Sequence, residues 1–118
     1  MNVAQPLVQA SLLGEAIDAG PALVLVADEE MNYVAVNETA CEALGYEREE
    51  LLAMRVIDIA GSENAAEAFA RLVADGELAG QGRVVRKDGS VLEIEYRASS
   101  VTVAQLTFYV VVGLPTQP

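Results

Sequence analysis

Residues 22–54 read ALVLVADEEMNYVAVNETACEALGYEREELLAM. The stretch is a strand, a turn, a second strand and two helices. Leu23 to Ala27 is a short apolar run rich in β-branched residues, and Asp28-Glu29-Glu30 with Asn32 breaks it with turn chemistry. Tyr33 to Val36 resumes a strand. Asn37 follows, and its short polar side chain suits the first position of a helix, where it can accept from backbone N–H groups. Ala40, Cys41 and Leu44 recur at helical spacing, Gly45 ends that helix, and Glu50, Leu51 and Leu52 belong to the next.

On the N-terminal side, Val8, Leu12, Leu13, Ala16 and Ile17 predict a short amphipathic helix, ended by Gly20-Pro21. On the other side, Val56-Ile57-Asp58-Ile59 is an apolar knot with one acid. Ser62 suits an N-cap with Glu63 in the first turn. Ala65, Ala66, Phe69, Leu72 and Val73 then form the expected buried stripe of the longest helix, closed by Gly76. The last third is β. Gly82 to Arg86 leads into Asp88-Gly89, expected to close a two-residue hairpin. Val91 to Arg97 alternates, with Leu92, Ile94 and Tyr96 toward the core and Glu93, Glu95 and Arg97 away from it. The next connection falls within residues 99–105 without a glycine to mark it. Leu106 to Val112 is apolar on both faces, as a central strand covered on both sides would be.

A chain of 118 residues is one domain by size. It is 53% apolar, which excludes general disorder. Seven basic and eighteen acidic residues give a formal charge of −11, a field that repels phosphate backbones and anionic membrane surfaces. No apolar run approaches the roughly 18 residues of a membrane span, and the N-terminus does not read as a signal peptide. The expectation is a cytoplasmic protein with neither nucleic acid nor membrane as partner. With no histidine and Cys41 alone, the chain is poorly supplied with zinc or copper ligands and cannot form an internal disulfide.

The segment from Val26 to Met54 resembles the PAS sensory domain, whose first hairpin closes on an Asn and whose short helix ends in Leu-Gly-Tyr before a Glu-Glu-Leu segment. A second match, Arg86-Lys87-Asp88-Gly89-Ser90, falls where that family has the hairpin between its third and fourth strands. The resemblance implies an α+β fold: a five-stranded antiparallel sheet in the order 2-1-5-4-3, with helices on one face. It divides the chain into a capping helix over 1–21, a sensory domain over 22–113 and a tail over 114–118. The leading helix would cover the outer sheet face or join a dimer contact.

The resemblance also implies a sensor rather than an enzyme. Histidine-ligated haem has no ligand here, and the region of the flavin-bonding Asn-Cys-Arg motif reads Arg55-Val56-Ile57-Asp58-Ile59. Cys41 reads as a small buried hydrophobe. The expected pocket lining is Leu25, Cys41, Ile57, Phe69, Ile94, Tyr96, Phe108 and Val110, with Tyr96 as the orienting polar group. These residues either fill the core or surround a small, mostly apolar metabolite. Asp58 is a capping residue or one held by Arg86 or Lys87. With Tyr96 it could nominally serve a small α+β isomerase, but no second acid or histidine supports that. The expected partners are a second copy, through Val8, Leu12, Leu13, Ala16 and Ile17, and an output domain or signalling protein. A ligand-free dimerisation or interaction module is the rival reading.

Overall fold

The computed structural model describes residues 5–61 and 64–116. Helix α1 (Pro6–Asp18) leads into strands β1 (Leu23–Ala27) and β2 (Tyr33–Val36). Helices α2 (Glu38–Leu44), α3 (Arg48–Leu51), α4 (Val56–Ile59) and α5 (Ala65–Asp75) follow. Strands β3 (Glu77–Val85), β4 (Val91–Val103) and β5 (Leu106–Pro115) complete the chain. The sheet order is β2-β1-β5-β4-β3, and every pairing is antiparallel. β5 is therefore the central strand, as its two apolar faces require. It runs on to Pro115, past the expected boundary at 113.

Alternation decides which side of each strand meets the helices. Leu23, Leu25 and Ala27 of β1, Leu92, Ile94 and Ala98 of β4, and Tyr109 of β5 are buried on that side. They pack with Leu44, Leu51, Ile59 and Leu72 from the helical layer.

Asn37 joins four elements. Its Oδ1 accepts from Ala40 N, capping α2 at 3.0 Å, and from Val24 N at 2.9 Å. Its Nδ2 donates to Ile17 O and Ala22 O, both at 2.8 Å. All four bonding capacities of a buried amide are thus used. The second pair anchors the end of α1, which Arg48 reinforces through Asp18 at 2.8 Å.

Three local expectations change. The hairpin at Asp88-Gly89 has three loop residues, since Arg86 N donates to Ser90 O and Gly89 N to Arg86 O. Gly89, at φ +90°, supplies the left-handed residue such a loop needs. In α5 the inward residues are Ala65, Ala68, Phe69 and Leu72, whereas Ala66 and Val73 face out. Asn64 is the residue before α5, and the expected Ser62 cap and Glu63 lie outside the described residues. Helix α1 forms where expected, but none of its residues is buried and it does not cover the sheet.

Candidate functional site

Between α4, α5 and the inner sheet face lies a cavity of about 290 Å³. Val56 and Ile59 from α4 and Ala65, Ala68, Phe69 and Leu72 from α5 form one wall. Leu25, Ala27, Ile94, Ala98, Tyr109 and Val111 form the sheet side. The alanines have no bulk beyond Cβ, so the long helix leaves room where leucines would fill it.

Of the eight expected lining residues, Leu25, Phe69, Ile94 and Tyr96 meet at this cavity and Cys41, Ile57, Phe108 and Val110 do not. Ile57 points outward from α4, 44% exposed, because Val56 and Ile59 take the inward positions of that single turn. Phe108 and Val110 lie on the opposite face of β5, since Ala27 pairs with Tyr109 and Ala98 with Val111. Cys41 packs against the core from α2, away from the cavity. Burial pushes its thiol up, opposed by the Arg48 charge and hydrogen bond.

Three tyrosines, Tyr33, Tyr96 and Tyr109, bring hydroxyl groups to a mostly apolar lining, and Asn64, Gln81 and Arg83 add polar groups at its rim. Tyr109 meets Phe69 edge-on, with centroids 5.1 Å apart, which holds both rings in place. Burial pushes the Tyr33 phenol well above its ordinary value, and the nearby Asp58 charge adds to the effect, so it is a neutral hydroxyl throughout the physiological range. Asp58 itself accepts from Arg55 N at 2.8 Å, satisfying a backbone N–H at the start of α4. It is the capping residue of the two readings, and it is exposed rather than aimed into the cavity.

The sequence reading missed Tyr33, Leu72, Tyr109 and Val111. Leu92, Ile94 and Tyr96 already fix which parity of β4 faces inward. A two-residue turn between Val103 and Leu106 transfers that parity to Tyr109 and Val111. The turn itself, Ala104-Gln105, carries no residue type that would have located it. Among the described residues no cluster of three or more Cys, His, Asp or Glu is placed to hold a metal ion. No helix among them is long and apolar enough to cross a membrane.

This arrangement of sheet, helices and intervening cavity can be set beside known proteins. Residues 21–114 match the sequence profile of the PAS domain family. The chain belongs to that family. A PAS domain from a two-component sensor histidine kinase superimposes with a TM-score of 0.83 at 17% identity, covering 95% of this chain and 100% of that one. The PAS domain of an HTR-like protein from Haloarcula marismortui gives 0.81 at 20% identity, with 91% of each chain covered. A domain of the sensory box sensor histidine kinase/response regulator from Geobacter sulfurreducens gives 0.77 at 22% identity, covering 94% and 98%. No curated protein matches the sequence. By family the chain is a sensory and signalling module, and PAS domains as a class are sensors rather than catalysts.

Proposed function

We propose that this PAS domain senses by holding a small, mostly apolar molecule between α4, α5 and the inner face of its sheet. The observation that carries this reading is the cavity itself, about 290 Å³ of mostly apolar space with three tyrosine hydroxyls, two amides and Arg83 in its lining. Such a composition suits ligands oriented by few polar contacts. Among the described residues the only ionic residue at its rim is Arg83, whose side chain is exposed and lies 3.5 Å from Glu93, so no buried counter-charge awaits a charged ligand stripped of water. Catalysis forms no part of the reading, and neither haem nor a cysteinyl flavin does: the chain has no histidine, and Cys41 stands away from the cavity. The single cysteine also fits a cytoplasmic setting. Mass spectrometry of the undenatured protein tests the proposal. A bound species of defined mass that is lost on denaturation is expected, and its absence from protein purified without organic solvent overturns the ligand reading. The protein should show no visible absorption band.

The state of the site would pass to a second copy of the chain through α1 and the outer sheet face, or to an attached output domain or signalling partner. Leu12, Leu13 and Ile17 are 54%, 62% and 50% exposed, and Val8 and Ala16 continue their surface. Val112 and Leu114 on the outer face of β5 are 42% and 51% exposed. Each such side chain is worth roughly 1.5–3 kcal/mol when buried. No residue of α1 is buried, so a partner helix can supply the cover. β5 adds no charge to that surface, while α1 carries Glu15 and Asp18 and β4 carries Glu93 and Glu95. No residue after Arg97 is charged, although the chain carries −11 overall. Sedimentation at low and high salt tests it: a dimer that tightens as salt screens repulsion is expected, with Leu13→Glu shifting it to monomer. A monomer under both conditions overturns it. A dimer with no bound species would instead favour the ligand-free interaction module.

A further inference from the structure

On the inner side of edge strand β3 the residues are Leu78, Gly80, Gly82 and Val84, and Gly80 pairs directly with Tyr96. A Cβ placed on Gly82 would stand 3.2 Å from Tyr96 Cε1 and 3.5 Å from Cδ1. One placed on Gly80 would stand 3.8 Å from the tyrosine hydroxyl oxygen and 4.0 Å from Cε1 and Cζ. One edge of the ring, from Cδ1 to the hydroxyl, therefore runs along the two glycines. Neither glycine has a positive φ, so the backbone does not require them. Glycine weakens a strand interior, and its presence there often marks a close approach by another group. Here the approaching group is the Tyr96 ring.

The geometry points to Gly82 as the residue that sets the capacity of the cavity, and hence the size of the molecule it admits, by letting Tyr96 lie back against β3. A Cβ at position 82 would require the ring to give by a few tenths of an ångström and a larger side chain by more, and since Gly82 and Tyr96 both line the cavity with Phe69, Leu72 and Ile94, ring and side chain alike would take up its space. At about 290 Å³ that space is already at the lower limit of pockets that take drug-sized ligands, roughly 300–1,000 Å³. Any intrusion of the ring together with an added side chain would shrink it below that range. The inference rests on the cavity of the proposed ligand site, but not on the identity of any ligand.

Xenon is the suitable probe, because it enters dry apolar cavities whatever their natural occupant. Under xenon pressure the full chain should show saturable NMR shifts at Leu72 and Ile94. Gly82→Val should weaken xenon binding at least about tenfold, the factor that 1.4 kcal/mol represents. Gly82→Ala, the milder change, should fold as the parent does and fall between the two. Adding Tyr96→Ala to Gly82→Val should restore binding, since removal of the ring returns more space than the valine takes. Parental xenon binding by both position-82 variants overturns the inference, and so does a double variant that stays closed or a parent that takes up no xenon. Failure of the ligand reading appears separately, as a protein that binds xenon yet carries no bound species in the undenatured mass spectrum.

Discussion

At one end β4 turns back from β3 through Lys87-Asp88-Gly89; at the other it turns into β5 through Ala104-Gln105. The first turn is fastened to the helical layer. Lys87 N donates to Leu44 O at 2.9 Å and Arg86 Nε to Ala43 O at 3.2 Å, so the hairpin satisfies carbonyls at the end of α2. Lys87 Nζ reaches Glu50 Oε2 at 2.9 Å, and Glu50 in turn accepts from Glu47 N at the start of α3. The second turn lies past the ends of the neighbouring strands. β3 stops pairing at Ser99 and β1 at Tyr109, which leaves Val101 to Phe108 as a two-stranded ribbon beyond the sheet. Val103 and Leu106 at its tip are 60% and 61% exposed. An isolated two-stranded hairpin is marginal in water, and an uncharged exposed edge invites pairing. One end of the strand thus carries the local stability of the domain, and the other offers surface.

The largest test of this contrast compares core truncation beneath the first hairpin with truncation on the ribbon. Leu44 is fully buried and its carbonyl receives Lys87. Leu44→Ala should cost roughly 2–5 kcal/mol through lost burial and the cavity left behind. Val103→Ala should change stability by no more than about 0.5 kcal/mol, as exposed positions do. Denaturant midpoints of the two variants check it. Equal losses would mean that the ribbon is packed against something in solution.

The turns themselves should respond with opposite signs. Gly89 sits at φ +90°, where a Cβ is costly, so Gly89→Ala should destabilise by about 1 kcal/mol. Ala104 and Gln105 sit at φ +51° and +67°, the paired left-handed geometry of a type I′ turn, without the residues that favour it. The double exchange Ala104→Asn with Gln105→Gly should stabilise by about 1 kcal/mol, read from the same midpoints. A loss of stability on that exchange would place the turn elsewhere.

These turns also mark where the sequence was legible. Asp88-Gly89 announces a hairpin by its own chemistry, and Gly45 and Asn37 announce the two ends of α2. Ala104-Gln105 announces nothing, because its geometry is imposed by the pairing of Val103 with Leu106. With that turn hidden, and with both faces of β5 apolar, Phe108 and Val110 could not be told from Tyr109 and Val111 by pattern. Helix α5 shows the same limit: alanines at 65, 66, 68, 70 and 74 give no contrast from which to choose its inward face. The sheet order came through the family resemblance carried by two motifs. The four bonds of Asn37 were beyond reach, since three of their partners, Ile17, Ala22 and Val24, come from the preceding helix, linker and strand.

The smallest effect separates the two hairpins by pH. Around the first turn, the hydrogen bond from Lys87 holds the Glu50 carboxyl below its ordinary value, helped by the bond from Glu47 N. Bonds from the Ser90 hydroxyl and backbone do the same for Asp88. The Lys87 ammonium is held above its ordinary value by Glu50. A carboxylate depressed in the folded state stabilises above its unfolded pKa and loses that contribution as pH falls through the folded one. A raised lysine stabilises below its unfolded pKa and loses its contribution as pH rises through the folded one. The ion pair therefore contributes across a plateau between the ordinary glutamate and lysine values, 4.5 and 10.5, and declines on either side. All three groups are exposed, so the amplitude is small and falls further with salt. The ribbon contributes nothing to the profile, because residues 98–112 contain no charged side chain. The measurement is the difference in denaturant midpoint between the parent and Lys87→Gln from pH 3 to pH 8. It should be largest near neutrality and shrink toward pH 3, and a difference that persists unchanged at pH 3 would show that Lys87 acts through its contact with the Tyr46 ring, 5.9 Å away, rather than through Glu50.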